Sequence, residues 1–158
     1  MKHLLTLWML ALCLCVSAKE TCPKVIPPCK SEGGSGKLVL PAEGSIVVAP
    51  ADEAALKSVA TVLAQDLKDL LDWNYTIRTG KPGKNDIYLS LMKPDKQLGE
   101  EGYVLTAGRY VGIEAPARQG AFWGTRSLLQ ILYNEKGQLP KGVARDWPQY
   151  PSRGFMLD

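Results

Sequence analysis

Few residues in this 158-residue sequence have the type and spacing to do chemistry. The sole histidine is His3. It sits beside Lys2, ahead of an apolar run from Leu4 to Val16 that closes on Val16-Ser17-Ala18. Such a run is too short to cross a bilayer core of about 30 Å as a stable helix, and the small residues suit a signal peptidase. Residues 1–18 are therefore expected to be a signal peptide cleaved near Ala18, which sends the chain to the periplasm or out of the cell. Cleavage removes the histidine, and with it any Ser-His-Asp or Cys-His arrangement, His-ligated zinc or imidazole base. Cys13 and Cys15 leave with it, so Cys22 and Cys29 are the thiols that reach an oxidising compartment. They are expected to pair as a disulfide around a loop stiffened by Pro23, Pro27 and Pro28, the alternative being two separate reduced thiols. No further ligands lie near enough to make a metal site, and no cofactor is expected.

Three other constellations have structural explanations. Asp66, Asp69 and Asp72 are spaced as carboxylates on one helical face, but Lys68 lies among them, opposite the leucines, so they read as a solvated face. Lys30 to Lys37 (KSEGGSGK) is followed by Leu38 and does not fit GxxxxGK[ST]; Gly80-Lys81-Pro82-Gly83-Lys84 reads as a turn between strands. Asn74-Tyr75-Thr76 is a glycosylation sequon whose use depends on a eukaryotic secretory pathway.

The elements that must hold these residues follow from periodicity. With 46% hydrophobic and 22% charged residues the chain suits one domain with a buried core, and a net charge of +3 is too weak a bias for a nucleic-acid partner. The Gly/Ser-rich stretch to Lys37 reads as a flexible linker, placing the start of the folded domain at Leu38. Leu38–Leu40 and Ser45–Ala49 are β-branched or apolar runs. Asp52 is then an expected N-cap for a helix from Glu53 to Trp73, with Leu56, Val59, Leu63, Leu67 and Leu70 on one face. Strands are expected at Tyr75–Arg78, Asp86–Leu91, Gly102–Thr106 and Tyr110–Ala115, the last two joined as a hairpin through Gly108. A second helix spans Ala117 to Asn134, with Gly120 and Gly124 on one face for close packing. A helical crossover makes parallel neighbours and a hairpin antiparallel ones, so the expected fold is α+β, a mixed sheet with both helices on one face.

The tail, Asp146-Trp147-Pro148-Gln149-Tyr150-Pro151-Ser152-Arg153-Gly154-Phe155-Met156-Leu157-Asp158, resembles the D-x-P-x-[FY]-x-x-R-G-x-M-x-D passage that opens the catalytic barrel of family-20 glycoside hydrolases, the β-N-acetylhexosaminidases. Glu101-Gly102-Tyr103-Val104-Leu105 is similar to the family's EGY-x-L strand, and Val111–Ala115 to its next strand. Gly120-Ala121-Phe122-Trp123-Gly124-Thr125-Arg126-Ser127-Leu128-Leu129-Gln130 resembles its G-x-[FY]-[YW]-G-x-x-[TS]-L-L-Q helix, with Ser127 where Thr is usual. After the signal peptide expected at 1–18 and the Cys-containing segment and linker at 19–37, the resemblance implies a non-catalytic α+β domain at 38–145 and at 146–158 the first strand of a (β/α)8 barrel. Such a barrel needs on the order of 250 residues and is expected to be absent from this chain.

The implied chemistry is hydrolysis of terminal non-reducing N-acetylhexosamine from glycans, with retention and with the substrate's acetamido group as nucleophile. The family's acid/base Glu and the Asp beside it belong to a His-x-Gly-Gly-Asp-Glu motif that this sequence lacks. Its Asp-Glu dipeptide, Asp52-Glu53, opens a helix. The chain is thus expected to carry no catalytic residue and to be inactive alone. Arg153 matches the arginine that binds sugar hydroxyls in the family, while Asp158 is read as structural. Partners are expected to be N-acetylhexosamine-containing glycans through the missing barrel, with no membrane span. A stand-alone binding or interaction module, or the leading domain of another glycosidase family, are the alternatives.

Intact mass of exported protein tests the Cys22–Cys29 pairing. Unreduced native material should take up no alkylating agent, and two alkylated thiols would refute the disulfide.

Overall fold

The computed structural model describes residues 30–150. Among them, strands β1 (Lys30–Val39) and β2 (Glu43–Val48) precede helix α1 (Glu53–Leu71). Strands β3 (Asn74–Thr79), β4 (Ile87–Leu91), β5 (Tyr103–Ala107) and β6 (Val111–Ala115) follow, then helix α2 (Arg118–Asn134) and strand β7 (Gln138–Asp146). The seven strands form one sheet in the order β1-β7-β5-β6-β4-β2-β3. Pairing is parallel from β6 through β4 and β2 to β3, and antiparallel from β6 through β5 and β7 to β1. The expected mixed α+β sheet is thus present, with the helical crossover between β2 and β3 and the β5–β6 hairpin where periodicity put them.

Register explains the one-sided core. Ile46, Ile87 and Val111 align across β2, β4 and β6, as do Val48, Leu89 and Ile113, and all six are buried. Side chains alternate between faces along a strand, so these rows line one face. Against it α1 buries Leu56, Val59, Ala60, Leu63 and Leu67, and α2 buries Ala121, Leu128, Leu129, Ile131 and Leu132, in one contiguous core.

Val47, on the opposite face, is also fully buried. The connection from β3 to β4 must pass over β2, which lies between them. It does so on the helix-free side, where Arg78, the register partner of Val47, bonds to the Lys81 carbonyl at 3.2 Å and to Asp86 at 2.5 Å. The Gly80–Lys84 stretch is thus part of a short crossover closed by Asp86, which also accepts the Gly83 N–H at 2.6 Å.

Two expectations need correction, and one strand has no counterpart among them. Lys30–Lys37 is not a linker: it lies in β1, antiparallel to β7, with an irregularity between Gly33 and Lys37. A Gly/Ser-rich segment buries little surface, yet an edge strand needs mainly backbone bonds from its neighbour. β7 was not foreseen at all, because Pro140 and Gly142 break its alternation. Pro140 is tolerated because at that level β7 has β1 beside it but not yet β5, whose pairing begins at Gly142. Asp52 occupies the N-cap position of α1 without capping it; its Oδ2 instead accepts the Leu91 N–H at 2.8 Å, fastening the helix start to the end of β4.

Helix α2 lies close to the sheet. A Cβ at Gly124 would come within 2.6 Å of Ile113 Cγ2 and 3.2 Å of the Tyr103 ring, and one at Gly120 would overlap the Gly102 carbonyl oxygen. Gly120→Ala and Gly124→Ala should therefore each destabilise the domain by ~1–3 kcal/mol, outweighing the gain of up to about 1 kcal/mol in helix propensity. Gly108→Ala, where nothing lies within 4 Å, should leave thermal unfolding almost unchanged. Equal melting temperatures for all three variants would contradict the close-packing account.

Candidate functional site

The segments that carry the family resemblance meet at one end of the sheet. Tyr103 on β5 is the register partner of Asp146, the last residue of β7. The approach of α2 brings Ser127 into the same place. Tyr103 Oη and Ser127 Oγ are 2.5 Å apart, and Tyr103 Oη lies 3.3 Å from Asp146 Oδ2. A relay in which Ser127 donates to Tyr103 and Tyr103 donates to Asp146 satisfies both contacts. Asp146 Oδ1 accepts the Trp147 N–H at 3.0 Å, turning the chain as it leaves the sheet. The hydroxyl at position 127 thus has a specific partner, so exchanging Thr for Ser keeps what the site uses.

Arg145, one residue earlier, points to the other face of the sheet. It donates to Asp95 Oδ2 at 2.8 Å, while Asp95 Oδ1 accepts the N–H groups of Gln97 and Leu98 at 2.9 and 3.1 Å. These bonds hold the Asp95 carboxyl below its ordinary range, the Arg145 bond most strongly. The end of β7 is therefore clasped from both faces, and the start of α2 joins in through the Gly120 N–H, which bonds to the Glu100 carbonyl at 3.0 Å. Burial pushes the Asp146 carboxyl above its usual value, against the opposing pull of the Tyr103 hydroxyl and the Trp147 N–H.

This arrangement positions a chain. Tyr103 and Ser127 are buried. Among the described residues no group of three or more His, Cys, Asp or Glu could hold a metal ion, and no helix is long and apolar enough to cross a membrane. Arg153, Asp158, Cys22 and Cys29, and residues 1–18 where a signal peptide is expected, lie outside the described residues.

The three helix carboxylates are not one solvated face. Asp69 accepts from Gln65 and Asp72 from Lys68, both at the surface. Asp66 is half-buried and pairs with Arg126 of α2 at 2.6 Å, and that guanidinium also lies 4.7 Å from the Phe122 ring centroid. Helical spacing alone gave no sign of this partner, which sits 60 residues away in sequence. Asn74 of the sequon opens β3 with its side chain exposed. The Tyr103–Ser127–Asp146 relay was likewise illegible as a unit, since its members were visible only as parts of three separate motifs.

The family model described as glycosyl hydrolase family 20, domain 2, matches residues 22–147. Lacto-N-biosidase from Bifidobacterium bifidum is 35% identical over 127 residues, covering 78% of this chain and 11% of that protein. A beta-hexosaminidase from Porphyromonas gingivalis is 37% identical over 114 residues, covering 65% of this chain and 14% of its own length. The GH20 β-N-acetylhexosaminidase of Streptomyces coelicolor A3(2) superposes with a TM-score of 0.65 at 26% identity, over 82% of this chain and 28% of that one. The chain therefore spans a minor part of each of these proteins.

The position of Asp146 has a pH signature. A carboxyl whose folded pKa is raised disfavours the fold once ionised, so its contribution declines as pH rises through its unfolded value near 3.8 toward the higher folded value. Asp146→Asn keeps an acceptor for Trp147 without the charge. The melting temperature of the variant minus that of the parent should be more positive at pH 7 than at pH 3.5; a pH-independent difference would show that burial does not penalise this carboxylate.

Proposed function

This chain belongs to glycoside hydrolase family 20, and from that premise we propose that it is the N-terminal part of an exported exo-β-N-acetylhexosaminidase, the part that supports the catalytic barrel without supplying its chemistry. The observation carrying this reading is the convergence of Tyr103, Ser127 and Asp146 at the point where the chain departs toward Trp147 and Pro148. Residues that a catalyst would use are spent here on fixing a direction of exit. Relatives that extend far beyond the stretch they share with this chain support a following domain.

In the proposed full protein, Arg153 binds hydroxyls of the terminal sugar, its planar guanidinium matching two neighbouring oxygens. A Glu beyond this sequence protonates the leaving oxygen, and an adjacent Asp orients the acetamido group that attacks the anomeric carbon. The glycans are those ending in N-acetylhexosamine at the non-reducing end. Export follows from the expected signal peptide, and the oxidising compartment from export.

Hydrolysis of the 4-nitrophenyl N-acetyl-β-glucosaminide tests this. Residues 19–158 should release no 4-nitrophenol, and the product of the reading frame extended downstream should release it. In that product Arg153→Ala should lower kcat/KM by about ten- to more than a hundredfold, the cost of losing charge-assisted hydrogen bonds to sugar hydroxyls. Turnover by residues 19–158 alone would overturn the assignment of catalysis to a following barrel. A stop codon directly after Asp158 would favour a stand-alone binding module.

A further inference from the structure

We propose that the free edge of β3 is a self-complementary surface through which two copies of this chain join their sheets. The backbone shows which groups the edge offers. The N–H groups of Asn74 and Gly80 both bond inward, to the carbonyls of Ala42 and Val48 at 2.8 and 3.0 Å. In a parallel pair alternate residues bond to the same neighbour, so Thr76 and Arg78 also face β2, and Tyr75, Ile77 and Thr79 aim their N–H and C=O groups outward.

The devices that normally blunt such an edge are missing. β3 has no proline, and its pairing with β2 runs without irregularity. Its one cation, Arg78, is held on the helix-free face by Asp86. The opposite edge, β1, carries an irregularity between Gly33 and Lys37.

A two-fold axis normal to the sheet would set the strands antiparallel, and residues directly opposite must share a face. Ile77 opposite Ile77 meets that condition and makes the outward-aimed groups reciprocal: Ile77 exchanges both backbone bonds with its own copy, and Tyr75 does so with Thr79. Arg78 then faces Thr76 rather than another arginine. On the helix side, Ile77 is 40% exposed in this chain, an apolar side chain that the partner's Ile77 would cover. Beside it a groove of about 420 Å³ runs between β3 and α1, lined on the helix by Thr61, Ala64, Gln65 and Lys68. These form one polar stripe with a small residue at its middle, room for a second α1 packed antiparallel at the usual 8–10 Å. In that packing Lys68 lies toward the partner's Thr61, so like charges do not meet.

Sedimentation velocity of the exported chain across a concentration series should show a monomer–dimer equilibrium. Ile77→Lys, at an exposed position, sets two ammonium groups against each other and should weaken the dimer at least tenfold with the melting profile of the monomer retained. Val143→Lys, exposed on the helix-free face, should leave it intact. Ile77→Cys should form an inter-chain disulfide under mild oxidant, since the paired Cα atoms of such a site lie about 5.5 Å apart, whereas Arg78→Cys should not. A chain that stays monomeric at every concentration, a dimer unaffected by Ile77→Lys, or equal cross-linking of both cysteine variants would overturn the proposal. None of these results depends on hydrolytic activity.

Discussion

Helix α2 can rest on the β5–β6 hairpin only because Gly120 and Gly124 present bare backbone to it. Side chains there would meet the Gly102 carbonyl and Ile113 Cγ2. Much else follows from this contact. With the helix drawn down, Ser127 reaches Tyr103, Tyr103 reaches Asp146, and Thr125 and Leu128 become fully buried. The cost in helix propensity, up to about 1 kcal/mol per glycine, is small beside the apolar burial it permits, with roughly 1.5–3 kcal/mol for each large side chain removed from water.

The second helix is placed differently. α1 crosses between two parallel strands, and its position is set by a buried stripe of Leu56, Val59, Leu63 and Leu67. Two polar contacts orient it without dominating its energetics. Asp52 fastens its start to β4, and Asp66 pairs with Arg126 at the contact between helices. A half-buried ion pair of this kind loses hydration as it gains attraction, so its net contribution to stability is small.

Polar groups in this domain therefore serve geometry. Asp86 closes a crossover, Asp95 and Arg145 tie a loop to β7, and Asp146 ends that strand against Tyr103. The proposed role as support for a barrel agrees with such usage: Asp86, Asp95 and Asp146 each sit where the chain changes direction.

Much of the fold was legible in the residues themselves. Leucines at steps of three and four marked both helices to within two residues, and β-branched runs marked β2 to β6, because each such pattern is local and repeats with the period of its own element. The hairpin and the helical crossover together dictated a mixed sheet. Motif order pointed to the family before any geometry was known. What local pattern could not decide was whatever depends on a distant neighbour. KSEGGSGK becomes a strand only because β7 offers it a backbone edge, and β7, interrupted by Pro140 and Gly142, is a strand only because β5 and β1 flank it. Asp66 finds Arg126, and Asp52 finds Leu91, across separations that no periodicity encodes. Three motif residues that looked independent share one hydrogen-bonded relay for the same reason: side-chain type is written in the sequence, but which groups come within hydrogen-bond reach of each other is fixed only when helices and strands pack.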